Sequence, residues 1–202
     1  MISTVLLIDG GGLRVFAKRI GQPYTGDFVE DFAHACGDED ERVLRILFYD
    51  APLFEGKVIA PISGEEQVYR GGSAFLDDIA RRDRFAVRRG TLVFRGWKPK
   101  RYQVEPGEQF TDADYDPIFE QKGVDMRLGL DIASYTERRS VDRLVLVTTD
   151  SDLVAAMKHA RRGGLEVGIV QLPPPMRPLS APLLEHSDFV RHVEWSDDAP
   201  QR

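Results

Sequence analysis

One cysteine, Cys36, stands among 202 residues, so no intramolecular disulfide can form and no zinc site can be built from paired cysteines. The four histidines, His34, His159, His186 and His192, are scattered and show no ligand spacing of their own. No apolar run approaches the roughly 20 residues that span a bilayer, and no basic-then-apolar targeting pattern opens the chain. A soluble, cytoplasmic protein with no membrane partner is therefore expected. Internal repeats are also lacking. What the chain does hold is carboxylate, 33 Asp and Glu against 27 Lys and Arg, for a formal net charge of −6.

Its length suits one domain with a sizeable core, and residues 1–195 are expected to form it, with a disordered tail over 196–202. Apolar runs read as buried parallel strands, and two of them end in acid. Val5-Leu-Leu-Ile8 runs into Asp9 and three glycines, Gly10 to Gly12; Leu144 to Val147 runs through Thr148 and Thr149 into Asp150-Ser151-Asp152. In open α/β sheets the groups just past the carboxyl ends of strands line the ligand crevice. Two strands therefore deliver carboxylates to one edge.

The rest alternates between strand and helix. Helices are expected over 13–20, over 28–35 with Asp27 as cap, over 74–84, over 124–138, over 153–162 and over 179–186. Further strands are expected over 43–49, 85–90, 92–97, 167–170 and 189–195. Residues 61–72 and 112–117 read as loops, the second acidic and mobile. The acidic run Asp38 to Glu41 reads as a solvated loop.

Charge is uneven. Between Arg81 and Arg101 lie seven Arg, two Lys and one Asp, a local +8 that leaves −14 for the remainder. Aromatic residues are interleaved, Trp97 among them, and basic side chains alternating with rings can pair phosphates and stack bases. Arg88, Arg89, Arg95, Trp97, Lys98, Lys100 and Arg101 are the candidate nucleic-acid contacts. Single-stranded or unpaired RNA suits the aromatics best, with DNA left open.

Three segments together, VLLIDG at 5–10, KGVDMRLGLD at 122–131 and LVLVTTDSDL at 144–153, resemble the NYN domains, particularly their LabA-like branch, within the PIN-like nuclease superfamily. The likeness extends over the glycine-capped return to a strand at 164–170 and loosely over residues 3–195. It implies a PIN-like three-layer α/β/α fold with a central, mostly parallel sheet. It also implies an acidic cluster that binds divalent metal for cleaving RNA, carried by position onto Asp9, Asp125, Asp150 and Asp152 as catalytic residues and metal ligands.

Asp125 follows Gly123 at a helix start, where a carboxylate suits the positive end of the dipole. Asp131, six residues on, lies about 120° around that helix, and with Ser151 and Thr149 is expected behind the ligands, orienting them or a water. Oxygen-only ligands favour Mg2+ or Mn2+ over zinc. The expected function is a divalent-metal-dependent endoribonuclease-type hydrolase of the four-aspartate kind. The alternative is a weakly active or inactive NYN domain that regulates by binding RNA or protein. One departure from the family favours it: an asparagine commonly follows the first Asp-Gly, and here Gly12 is followed by Leu13. A second subunit completing the substrate groove is left open.

Overall fold

The computed structural model describes residues 1–103 and 108–195, and the tail expected over 196–202 lies outside the described residues. The chain opens with β1 (Ile2–Asp9), α1 (Gly10–Arg19), α2 (Gly26–Ala35) and β2 (Glu41–Asp50). Two short strands, β3 (Gly56–Ile59) and β4 (Glu66–Tyr69), precede α3 (Ala74–Ala80) and β5 (Phe85–Arg89). Next come β6 (Thr91–Pro99), β7 (Tyr115–Lys122) and α4 (Val124–Arg138). The chain ends with β8 (Arg143–Val147), α5 (Val154–Arg162), β9 (Glu166–Gln171), α6 (Ala181–Glu185) and β10 (Phe189–His192).

Six strands form one sheet in the order β10-β9-β8-β1-β2-β5, every pair parallel. A parallel sheet must be covered on both faces, which is why its strands are continuously apolar instead of alternating. Successive residues of β1 feed opposite layers. Leu6 and Ile8 pack with Leu13 and Phe16 of α1, Phe28 and Phe32 of α2, and Leu76 and Ile79 of α3. Val5 and Leu7 pack with Leu128 and Ile132 of α4, Met157 of α5 and Leu183 of α6. The result is the three-layer α/β/α architecture of a PIN-like fold. From β1 the chain builds outward through β2 to β5, then returns to build β8, β9 and β10 on the other side. The strand order thus reverses between β1 and β8, and that switch point is where such sheets open a crevice.

Two antiparallel ribbons stand outside this sheet, β3–β4 and β6–β7. They correct two expected loops. Residues 61–72 contain β4, and 112–117 form a 3-10 turn (Asp112–Asp114) leading into β7, whose partner β6 supplies the cross-strand hydrogen bonds. Ring packing joins the ribbons: Phe54, just before β3, and Tyr69 of β4 lie 5.2 and 5.5 Å from Phe119 of β7. Packing of one ribbon on the other carries no local signature in a polar stretch.

Helix ends also move. Thr25, not Asp27, caps α2, its hydroxyl accepting from the Phe28 N–H at 3.2 Å. α3 stops at Ala80, and Arg84 takes a φ of +68°, turning the chain into β5 before the expected end of the helix. The segment after Asp150 begins as a 3-10 turn over Ser151–Leu153 before α5 proper. No helix among the described residues is long and apolar enough to cross a membrane.

Candidate active site at the carboxyl edge of the sheet

β1 enters α1 without a loop. Asp9 ends the strand and caps the helix, its Oδ1 accepting from the Gly11 N–H at 2.9 Å. The turn must pass close over β2: a Cβ on Gly10 would lie 2.8 Å from Asp50 Oδ2 and 2.9 Å from the Tyr49 carbonyl oxygen. Glycine at 10 is therefore required for close approach.

β8 delivers the second group. Thr148, buried, accepts from the Asp150 N–H at 3.1 Å and reaches toward Asp9 Oδ2 at 3.5 Å. Asp150 then accepts from the Asp152 N–H at 2.9 Å, turning the chain into α5. Thr149, Ser151 and Asp152 are exposed beside it. Asp125 enters from the first turn of α4, which begins after Gly123 at φ +76°. Asp9, Asp125, Asp150 and Asp152 thus lie along one edge at the switch point.

A fifth carboxylate, Asp50, joins them from the end of β2. It is 1% exposed, pairs with Arg14 of α1, and accepts from the Ala51 N–H at 2.7 Å and the Gln121 amide at 3.2 Å. Arg14 in turn lies over the Tyr24 ring, 5.4 Å from its centre, and the Tyr24 hydroxyl donates to the Gly10 carbonyl at 2.9 Å. Asp50 falls just past the strand expected over 43–49 and is not among the site residues that the sequence pattern singles out. Its signal was present, since Phe48-Tyr49-Asp50 ends an apolar strand in acid just as Ile8-Asp9 does.

These carboxylates feel one another. Burial pushes the Asp9 carboxyl up, and the charges of Asp125 and Asp50 add to the rise against hydrogen bonds from Gly11 and Gly12. Burial raises Asp125 as well, followed by the charges of Asp150 and Asp152. Asp50 is raised by burial, with Arg14 and the Ala51 N–H pulling the other way. Even so, among the described residues no three His, Cys, Asp or Glu side chains converge tightly enough to hold an ion unaided.

Asp131 lies elsewhere. It accepts from the Tyr49 hydroxyl at 2.9 Å and from Arg88 at 2.8 Å, tying α4 to β2 and β5, and the 120° offset from Asp125 accounts for the separation. The basic segment is also largely paired. Arg88 meets Asp131, Arg89 meets Asp77, Arg95 meets Glu120, Lys100 meets Asp116, and Arg101 meets Asp114 and Glu108. Lys98 has no carboxylate partner among the described residues. The Trp97 indole N–H donates to the Ile59 carbonyl at 2.8 Å, linking the two ribbons. Partners distant in sequence therefore neutralise most of the local +8.

The NYN domain family matches residues 73–188, more than half of the chain. The chain belongs to the NYN domain family. That match contains Asp125, Asp150 and Asp152, while Asp9 and Asp50 lie before it and reach the same edge through the sheet. The family is nuclease-like and falls in the PIN-like superfamily, which makes a hydrolytic nuclease the coarse expectation for this NYN domain. Its fold is similar to the crystal structure of a protein of unknown function from Vibrio parahaemolyticus, with a TM-score of 0.56 and 16% sequence identity, covering 98% of this chain and 94% of that one. No curated protein matches.

Proposed function

We propose that this NYN domain, of the LabA-like branch, is a divalent-metal-dependent ribonuclease whose site is built on Asp9, Asp125, Asp150 and Asp152. The observation that carries the reading is electrostatic. Carboxylates from three separate elements face one edge at the switch point, where burial first, and then the charge of neighbouring carboxylates, raises Asp9 and Asp125, an arrangement that a cation relieves.

The donor chemistry fits a hard cation. All candidate ligands are carboxylate oxygens, as Mg2+ or Mn2+ prefer, and Mg2+ commonly keeps several waters and shares substrate phosphate instead of filling an all-protein cage. That habit suits carboxylates that do not converge tightly by themselves. When bound, such an ion would offset phosphate charge and make a water more acidic. The chain's own residues do the positioning. The Gly11 N–H and Thr148 fix the Asp9 carboxylate, the Asp152 N–H fixes Asp150, and Arg14 pairs with Asp50 beside them. Thr149 and Ser151, exposed on either side of Asp150 just past the end of β8, present hydroxyls to whatever enters.

RNA is the proposed substrate, in single-stranded or unpaired form. Lys98 and the exposed faces of the β6–β7 ribbon would guide it, with the ion pairs there reducing the charge available. Incubating the protein with single-stranded and structured RNAs in Mg2+ or Mn2+ tests the reading. Cleavage is expected, with loss on chelation and a fall on the order of 100-fold or more in Asp150→Asn. Cleavage that survives both treatments would refute the site. A second reading, an RNA-binding regulator that does not cut, is favoured by the same looseness of the carboxylates and by Leu13 after the glycines. RNA binding without cleavage in either metal would select it.

A further inference from the structure

Beside the acidic edge, between α1 and the segment leading to α6, lies a groove of about 460 Å3 that no assigned role uses. One wall is the turn of the site itself: Gly11, whose N–H holds Asp9, together with Gly12 and Thr149. The floor and far wall are apolar, made by Val15, Met176 and Leu179. Val15 is 45% exposed and offers its side chain to whatever enters the groove.

Two guanidinium groups flank the groove, Arg19 and Arg177. Neither has a carboxylate partner among the described residues, unlike the arginines of the β5–β6 segment. Arg19 donates to the Pro175 carbonyl at 3.2 Å, which leaves most of its fork free. The far wall is held in place from behind. The Gln171 side chain accepts from the Leu179 N–H at 2.9 Å and donates to the Leu172 and Arg177 carbonyls at 2.8 and 3.2 Å. The groove is thus preformed, as ligand sites usually are, and lies within the common size range for a small ligand.

Apolar walls, two unpaired guanidiniums and an acidic edge next door specify an occupant with a flat, weakly polar body and a phosphate on each side. We propose that this groove seats the nucleotide adjoining the phosphate delivered to the aspartates, its base against Val15 and Met176 and its outer phosphate on Arg19 and Arg177. The inference rests on the ribonuclease reading for its substrate and adds where the strand lies beside the aspartates: along α1 and the 173–180 segment. Base contact with side-chain faces tolerates any sequence, whereas the guanidiniums supply charge to the backbone.

The test uses a fluorescein-labelled single-stranded RNA of about eight nucleotides, titrated into the full chain in EDTA so that binding is read without cleavage. The double variant Arg19→Ala, Arg177→Ala is expected to bind about tenfold more weakly near 0.1 M salt, and to lower the slope of log affinity against log salt by about 0.7, the loss of one phosphate contact on a single strand. Lys98→Ala should change binding less. Amide resonances of Gly11, Gly12 and Met176 should shift when the RNA is added, and the amide spectrum of the double variant shows whether it is folded. Unchanged affinity in a folded double variant, or shifts confined to the β6–β7 ribbon, would overturn the groove. Cleavage is scored separately in Mn2+. RNA bound in the groove but never cut refutes the nuclease and keeps the groove, whereas cutting that ignores both arginines refutes the groove and keeps the nuclease. Absence of both binding and cleavage refutes the two together.

Discussion

Replacing Asp9 by Asn should make the metal-free protein more stable while removing its response to metal. Asparagine caps a helix about as well as aspartate, so the bond from the Gly11 N–H survives and the backbone turn is kept. What disappears is a charge that burial disfavours and that Asp125 and Asp50 repel. A like charge at roughly 8 Å in an effective dielectric near 40 costs about 1 kcal/mol, and for a chain of this size that corresponds to a rise of about 2–4 °C in Tm. The sign follows from linkage. A carboxyl whose folded-state pKa lies above its unfolded value binds more protons when folded, so its contribution is intact below the unfolded pKa, near 4, and is lost as pH rises through the folded value. The advantage of Asp9→Asn should therefore be full near pH 7.5 and vanish toward pH 4. Thermal unfolding of both proteins in EDTA and in Mn2+ measures it. In Mn2+ at about 100 times its dissociation constant, wild type should gain about 2.7 kcal/mol and the variant much less. A variant less stable than wild type in EDTA at pH 7.5, or one stabilised equally by Mn2+, would refute the argument.

Further outcomes follow from particular contacts. Gly10→Ala should cost about 1–3 kcal/mol in urea unfolding, because the added methyl meets Phe48, Asp50 and the Tyr49 carbonyl within 3 Å; a neutral result would mean that α1 can shift away from β2. Glu41 is buried against Arg143 and Arg191. Burial raises its carboxyl, the hydrogen bonds from the two arginines outweigh that, and its pKa lies below the ordinary value. The stability it supplies is present above the unfolded pKa, near 4.3, and is lost as pH falls through the lower folded value, and Glu41→Gln should cost about 3 kcal/mol at pH 7 with a weaker acid transition. A double-mutant cycle on Arg88 and Asp131, by urea unfolding, should give a coupling of only about 0.5–1 kcal/mol, since the pair is partly solvated. Asp131→Asn should leave Mn2+ stabilisation at the wild-type level, and its loss would bring Asp131 back into the site.

Strand composition alone determined much of this protein. Val5 to Ile8 and Leu144 to Val147 had to be covered on both faces, so a parallel sheet between helical layers was legible, and α4 could be placed at Val124–Arg138 from its apolar stripe. Strands ending in Asp9 and Asp150 pointed to one edge for the same local reason. The ribbons were not legible, because the short polar strands β3 and β4, and β7 with its partner β6, are ordered by rings such as Phe54 and Phe119 that meet only on folding. Charge was decided in the same way. A +8 stretch looks like a phosphate track until Asp77, Asp131, Glu120, Asp116 and Asp114 fold onto it. Asp50 needed the tertiary structure as well: its role follows from parallel register, which aligns the ends of β1 and β2 and buries its carboxylate beside Arg14. Periodicity and strand ends are properties of neighbouring residues, whereas burial, pairing and the field around a carboxylate belong to whatever the fold brings within a few ångströms.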